Sequence, residues 1–140
     1  MIKKFCELLF AKISNKNNTI LYYDCVEIPP ISLDKFLIRI KRFSFLEEYH
    51  IIYSLIYINR FLQNDFFLSE RNIHKITAIA ILSSHKFIED NVYTFKYYSK
   101  VFGIELNELF DLEIFFLERI EWKLYVPDQE YENYKLLFKN

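Results

Sequence analysis

One count constrains this chain more than any other. Among its 140 residues there is a single glycine, Gly103, and only three prolines. Tight hairpins rely on glycine for positive-φ turn positions. A chain almost without it reads as helices joined by ordinary loops. The same count removes loops that cradle phosphate, because several glycines are needed to bring backbone N–H groups up to the anion. A Walker loop, a dinucleotide fingerprint and a kinase glycine-rich loop are all excluded.

A length of 140 residues suits one domain, and with 52% hydrophobic residues the chain can build a substantial core. Phenylalanine (15) and tyrosine (11) dominate. Phe, Tyr, Ile, Lys and Asn all have AT-rich codons, so the aromatics read as core filler rather than as a base-stacking platform. A net charge of −1 removes the generic attraction to nucleic acid. The basic run Arg39, Lys41 and Arg42 is short and reads as a solvated helix face. Cys6 and Cys25 are too few and too far apart for a disulfide framework or a zinc site, which leaves free thiols in a reducing compartment. Glu7 and Lys12 interrupt the N-terminal apolar run, so no signal peptide is expected. The uncharged stretches 51–59 and 76–85 fall far short of the roughly 20 residues of a bilayer span. The expectation is a soluble intracellular protein of the nucleus or cytoplasm, with no membrane and no nucleic acid among its partners.

Apolar periodicity places the helices. Ile2, Phe5, Leu9 and Ile13 form one stripe over 2–13. Residues 14–19 are polar and read as a loop, and 20–28 as an extended connection ending at Pro29-Pro30. Ser32 can cap a helix to about Phe43 that buries Leu33, Phe36, Leu37 and Ile40. Residues 46–62 are apolar nearly all round, which marks a central helix. Ser69 is the expected cap of a helix reaching Phe87, whose middle mixes small and large side chains. A short helix over 95–102 ends at Gly103, where a left-handed residue is wanted. The last strong helix covers 105–122, and after Pro127 a weak amphipathic tail carries Tyr131, Tyr134, Leu137 and Phe138. The divisions expected are 1–31 for an N-terminal helix and connection, 32–127 for the main helical unit and 128–140 for a helical tail.

No catalytic set emerges. His50, His74 and His85 lack metal-ligand spacing, and adjacency of Ser84 and His85 does not make a triad. Glu118 and Glu121 lie one turn apart on what should be a solvated face. The chain is expected to be no enzyme and to carry neither metal nor cofactor.

Two stretches resemble the cyclin box. Leu82-Ser83-Ser84-His85-Lys86-Phe87-Ile88-Glu89-Asp90 is similar to the end of its third helix, and Leu112 through Leu124, with Glu113 and Trp122, to its fifth. Tyr57-Ile58-Asn59-Arg60-Phe61-Leu62 is similar to the end of the second. Pro30-Ile31-Ser32, and Tyr93 through Lys100-Val101-Phe102-Gly103-Ile104, point to the P-type (phosphate-regulation, also called U-type) branch. The match spans about 30–127 in order and spacing. It departs where the family has Gly-Gly before Ile104 and an Asn at the place of Phe95. The apolar substrate-docking patch of cell-cycle cyclins has no clear counterpart, nor does the second box of mitotic cyclins.

The resemblance implies an all-α fold: one five-helix cyclin box with an added N-terminal amphipathic helix and a short C-terminal helix. It implies a regulatory subunit that binds a cyclin-dependent protein kinase as a heterodimer and holds the kinase's regulatory helix in its active position. The alternative is a non-enzymatic cyclin-fold adaptor or scaffold, transcription-related or kinase-independent. Lys86 and Glu113 match the polar centre of the family's kinase interface, with Phe87 and Trp122 as apolar neighbours. Arg60 matches a family arginine and reads as structural, making an internal salt bridge.

Overall fold

The computed structural model describes residues 1–14, 24–25, 27–63 and 66–139. Among these the chain is all-helical, with seven helices: α1 (Ile2–Phe10), α2 (Leu33–Phe43), α3 (Glu48–Leu62), α4 (Ile73–Ile88), α5 (Phe95–Phe102), α6 (Leu106–Arg119) and α7 (Asp128–Leu136). Five of them form a box, flanked by α1 before it and α7 after it. None is long and apolar enough to cross a membrane. The loop expected over 14–19 and the connection over 20–28 lie mostly outside the described residues.

The centre is the antiparallel pair α3 and α4. The first was expected to be apolar on nearly every face and the second to mix small and large side chains in its middle, and both are enclosed. Ile52, Ile56, Ile58 and Phe61 of α3, and Ile76, Ile79, Ile81 and Leu82 of α4, are fully buried. Ala78 and Ala80 let the neighbouring helices approach α4 closely, since small side chains keep the backbones near each other. Around this pair, α2 buries the four residues its periodicity nominated, Leu33, Phe36, Leu37 and Ile40. From α1, Phe5 and Leu9 plug the space between α2 and α3.

Helix ends differ from expectation where side chains compete for the same backbone groups. Ser32 occupies the N-cap of α2, but its side chain does not cap. The Asp34 carboxylate engages the Ser32 hydroxyl instead, which holds its pKa below the usual range. The helix expected to start at Ser69 starts at Ile73: the Ser69 N–H donates to the Asn72 side-chain oxygen (2.9 Å), closing a turn that delays the helix. In α3, Leu46 is buried but precedes the helix, which begins with a capping box made by Glu47 and His50.

α5 and α6 end in the same way, by different means. Gly103 adopts φ +68°, and the N–H groups of Gly103 and Ile104 both donate to the Ser99 carbonyl (2.9 and 3.1 Å). After α6 the left-handed residues are Glu121 (φ +56°) and Trp122 (φ +59°). Their N–H groups donate to Glu118 (3.0 Å) and Leu117 (2.9 Å), the bonds of a Schellman motif.

Candidate functional site

The last turn of α4 and the outer face of α6 meet at the surface. Lys86 projects from the first and Glu113 from the second, and Nζ of Lys86 lies 2.8 Å from the Glu113 carboxylate. The lysine side chain is 44% exposed and the glutamate only 14%, so the pair sits at the rim with its acidic member set inward. Lys86 also stands 4.9 Å above the Phe95 ring. Its charge, at the C-terminal end of a helix, is favoured by the helix dipole.

Apolar groups surround the pair. Phe87, next to Lys86, is 44% exposed; Trp122 is 60% exposed. Together with Ser83, Leu117 and Leu124, the four expected site residues line a surface hollow of about 220 Å³. The structure thus brings Lys86, Glu113, Phe87 and Trp122 to one place from three segments of chain. Phe110 and Ile114 extend the apolar margin along α6, both about half exposed. Phe110 faces out and stacks on Phe95 (4.5 Å).

Trp122 is held outward by its backbone. A left-handed conformation in two consecutive non-glycine residues costs on the order of 1–2 kcal/mol each. It persists because the following residues are tied down. Arg60 donates to the Lys123 carbonyl (2.5 Å) and pairs with Glu130 of α7 (2.7 Å). The Tyr57 hydroxyl donates to the Leu124 carbonyl (2.8 Å), and burial raises the phenol pKa well above its usual value. Arg60 therefore clamps the segment that presents Trp122. Sequence reasoning missed the share of Tyr57 in this clamp and the exposure of Ile114. The signal for Ile114 was its place opposite Leu112 and Phe116 on a helix that reads as apolar on more than one face.

Sequence neighbours of the pair point the other way. His85 is fully buried, stacks on Phe45 (4.1 Å) and shares a hydrogen bond with the Tyr98 hydroxyl (2.8 Å). Burial, reinforced by the nearby His50 ring, pushes its pKa down to about 3. His50 accepts from the Glu47 N–H at Nδ1 (2.9 Å), which leaves its proton on Nε2, 3.6 Å from Glu89. Burial lowers its pKa, opposed by Glu89. Both rings sit inside the domain as neutral structural groups. Among the described residues no cluster of His, Cys, Asp or Glu is placed to hold a metal ion.

Comparison with known proteins gives the family. The family model described as Cyclin matches residues 4–124, and the chain belongs to the cyclin family. It is 34% identical over 114 residues to Cyclin-U2-1 of Arabidopsis thaliana, covering 80% of this chain and 51% of that one. Over 108 residues it is 32% identical to Cyclin-P4-1 of Oryza sativa, covering 76% and 51%. A PHO85 cyclin-like protein of Schizosaccharomyces pombe is 28% identical over 120 residues, covering 84% and 49%. The branch is the P/U type. The chain spans about half the length of the curated relatives it matches. Members of this family are regulatory subunits rather than enzymes.

Proposed function

We propose that this protein binds a cyclin-dependent protein kinase and activates it by holding the kinase's regulatory helix inward through the surface centred on Lys86 and Glu113. The observation that supports this most is the ion pair of 2.8 Å set in an apolar frame of Phe87, Leu117 and Trp122. A surface ion pair contributes only about 0.2–1 kcal/mol to stability, so folding gives little reason for it. At an interface the same two groups do more. The ammonium of Lys86 has further N–H donors for carbonyls at a partner helix end, and the carboxylate can accept from backbone N–H groups. They set register on an otherwise apolar contact. Phe87 and Trp122 are the apolar anchors, and Arg60 keeps Trp122 presented.

The mechanism is a population shift. A kinase is active when a glutamate on its regulatory helix pairs with the nucleotide-binding lysine. A partner that binds only the inward helix raises the population of that state by its differential affinity. The box at 32–127 supplies the surface, and α7 contributes the Glu130 end of the Arg60 clamp. The name of the S. pombe relative, a PHO85 cyclin-like protein, supports a kinase partner.

The test is purification of the chain from its native cell with its associated kinase, followed by Lys86→Ala and Glu113→Ala variants. Each should weaken kinase association by about 2–5 kcal/mol, because the opposite charge is then buried unpaired. Circular dichroism should show an intact fold. If the double variant activates the co-purified kinase as well as the parent, the assignment fails. If no kinase co-purifies at all, the adaptor reading replaces it.

A further inference from the structure

The charges of this chain are segregated in a way its net value of −1 hides. α2 and α5, which pack side by side, carry six Lys and Arg residues against one carboxylate, Asp34. Residues 105–139 carry nine carboxylates against four Lys and Arg. On α2 the spacing of Lys35, Arg39 and Arg42 aligns three cations along the solvent-facing stripe, and all three are exposed. On α5, Lys96 and Lys100 are one turn apart and exposed.

The two rows are locked together. Arg39 donates from Nε to the Val101 carbonyl (2.9 Å) and from one Nη to the Lys100 carbonyl (3.3 Å), bridging α2 to the end of α5. The Tyr97 hydroxyl donates to the Phe43 carbonyl and ties the other end of α2 to α5. Elsewhere several cations are paired: Lys75 with Glu108, Lys86 with Glu113, Arg60 with Glu130. None of the five cations on this face is ion-paired to a carboxylate among the described residues. Two large apolar side chains stand among them, Ile38 (54% exposed) and Phe43 (43% exposed). The Phe43 ring lies under the guanidinium groups of both Arg39 (5.3 Å) and Arg42 (5.5 Å).

We infer that the α2–α5 face is a docking surface for a short acidic peptide segment of a partner protein, one that carries an aliphatic or aromatic residue between its carboxylates. Charge complementarity selects the acid, because arginine and lysine in fixed positions bind carboxylates by charge-assisted hydrogen bonds. Ile38 and Phe43 select the apolar residue, which a purely polyanionic ligand would leave unused. Size selects a short segment. The eight residues of helix from Lys35 to Arg42 span about 10 Å, the reach of roughly three extended residues. A nucleic acid duplex or a membrane surface would run beyond this face toward the acidic α6, which packs against α5, and be repelled there. The face is formed by α2 and α5, and none of its cations belongs to the Lys86–Glu113 pair. The inference therefore stands whether or not that pair binds a kinase.

The experiment is fluorescence anisotropy of the full chain with a labelled peptide of about ten residues that alternates Glu and Asp with Leu and Phe. Controls are the same peptide with Gln and Asn in place of the acids, a single-stranded oligonucleotide of matched charge, and phosphatidylserine vesicles. The acidic peptide should saturate, and its affinity should fall about tenfold or more from about 50 to about 300 mM salt. The Lys35→Glu/Arg42→Glu and Lys96→Glu/Lys100→Glu variants should each lose about tenfold or more. Lys86→Ala should bind the peptide unchanged. Equal binding of the amide peptide, indifference to both charge reversals, or absence of saturation would overturn the inference. Tighter binding of the oligonucleotide or of the vesicles would overturn it in favour of that class of ligand.

Discussion

His85 and Lys86 are consecutive residues of one helix, and they meet opposite fates. His85 is fully buried among Phe45, His50 and Tyr98; Lys86 stands at the surface with Glu113. A rotation of about 100° per residue separates them. Both are polar groups with a polar partner. The buried one is restricted by desolvation, which makes ionisation costly, so it serves the fold as a neutral ring. The exposed one stays in contact with solvent and contributes little to the fold. The lesson is that polarity on an otherwise apolar helix has to be sorted by face before it is given a role.

Several measurements break or sharpen this contrast. The largest effect is expected for His85→Ala, which opens a cavity beside Phe45 and leaves the Tyr98 hydroxyl without its partner; it should cost about 3 kcal/mol in urea unfolding. A loss below that of Lys86→Ala would invert the comparison.

Acid should act on the buried side alone. The folded-state pKa of His85 is near 3, against about 6.5 in the unfolded chain. The unfolded state therefore takes up the proton first. The contribution is fully present above about pH 6.5 and is lost progressively as pH falls below it. Stability should drop by about 2 kcal/mol from this residue between pH 7.5 and pH 5, with His50 and His74 acting in the same direction. A urea midpoint that does not move over this range would refute the buried-neutral reading.

The strained turn gives a smaller effect of opposite sign. Glu121→Gly relieves a left-handed non-glycine residue and should raise stability by about 1 kcal/mol, while Trp122 stays in place for partner binding. Removing the clamp by Arg60→Ala should weaken kinase association more than its effect on the melting temperature suggests, because it frees the segment bearing Trp122. The smallest change is for Lys86→Ala read as stability, about 0.5 kcal/mol or less. Its kinase association should nevertheless fall by the larger amount expected above.

Much of the architecture was legible because burial imposes periodicity. The four core residues of α2, the enclosed character of α3 and α4, and the end of α5 at Gly103 all follow from spacing and from a residue type with one favoured use. The start of α4 was not legible, since Ser69 and Asn72 both have capping chemistry and only local geometry chose between them. The exposure of Phe110 was not legible either, because hydrophobicity alone does not tell a core face from an exposed margin. The four candidate site residues were found by resemblance to a family pattern, and no periodicity would have joined them.

The end of α6 marks the boundary most clearly. A glycine announces a left-handed turn after α5, but Glu121 and Trp122 carry no such signal. Their conformation is imposed from outside the helix, by the Arg60 and Tyr57 side chains of α3 holding the carbonyls that follow. The amino-acid sequence by itself determined most of the buried positions and where most helices run, because those follow from the energetics of each segment against water. Tertiary structure alone decided that Lys86 and Glu113 meet, that Trp122 faces outward, and that the cations of α2 and α5 form one surface. Each is a relation between segments far apart in the chain, fixed only when the α3–α4 core sets their distance.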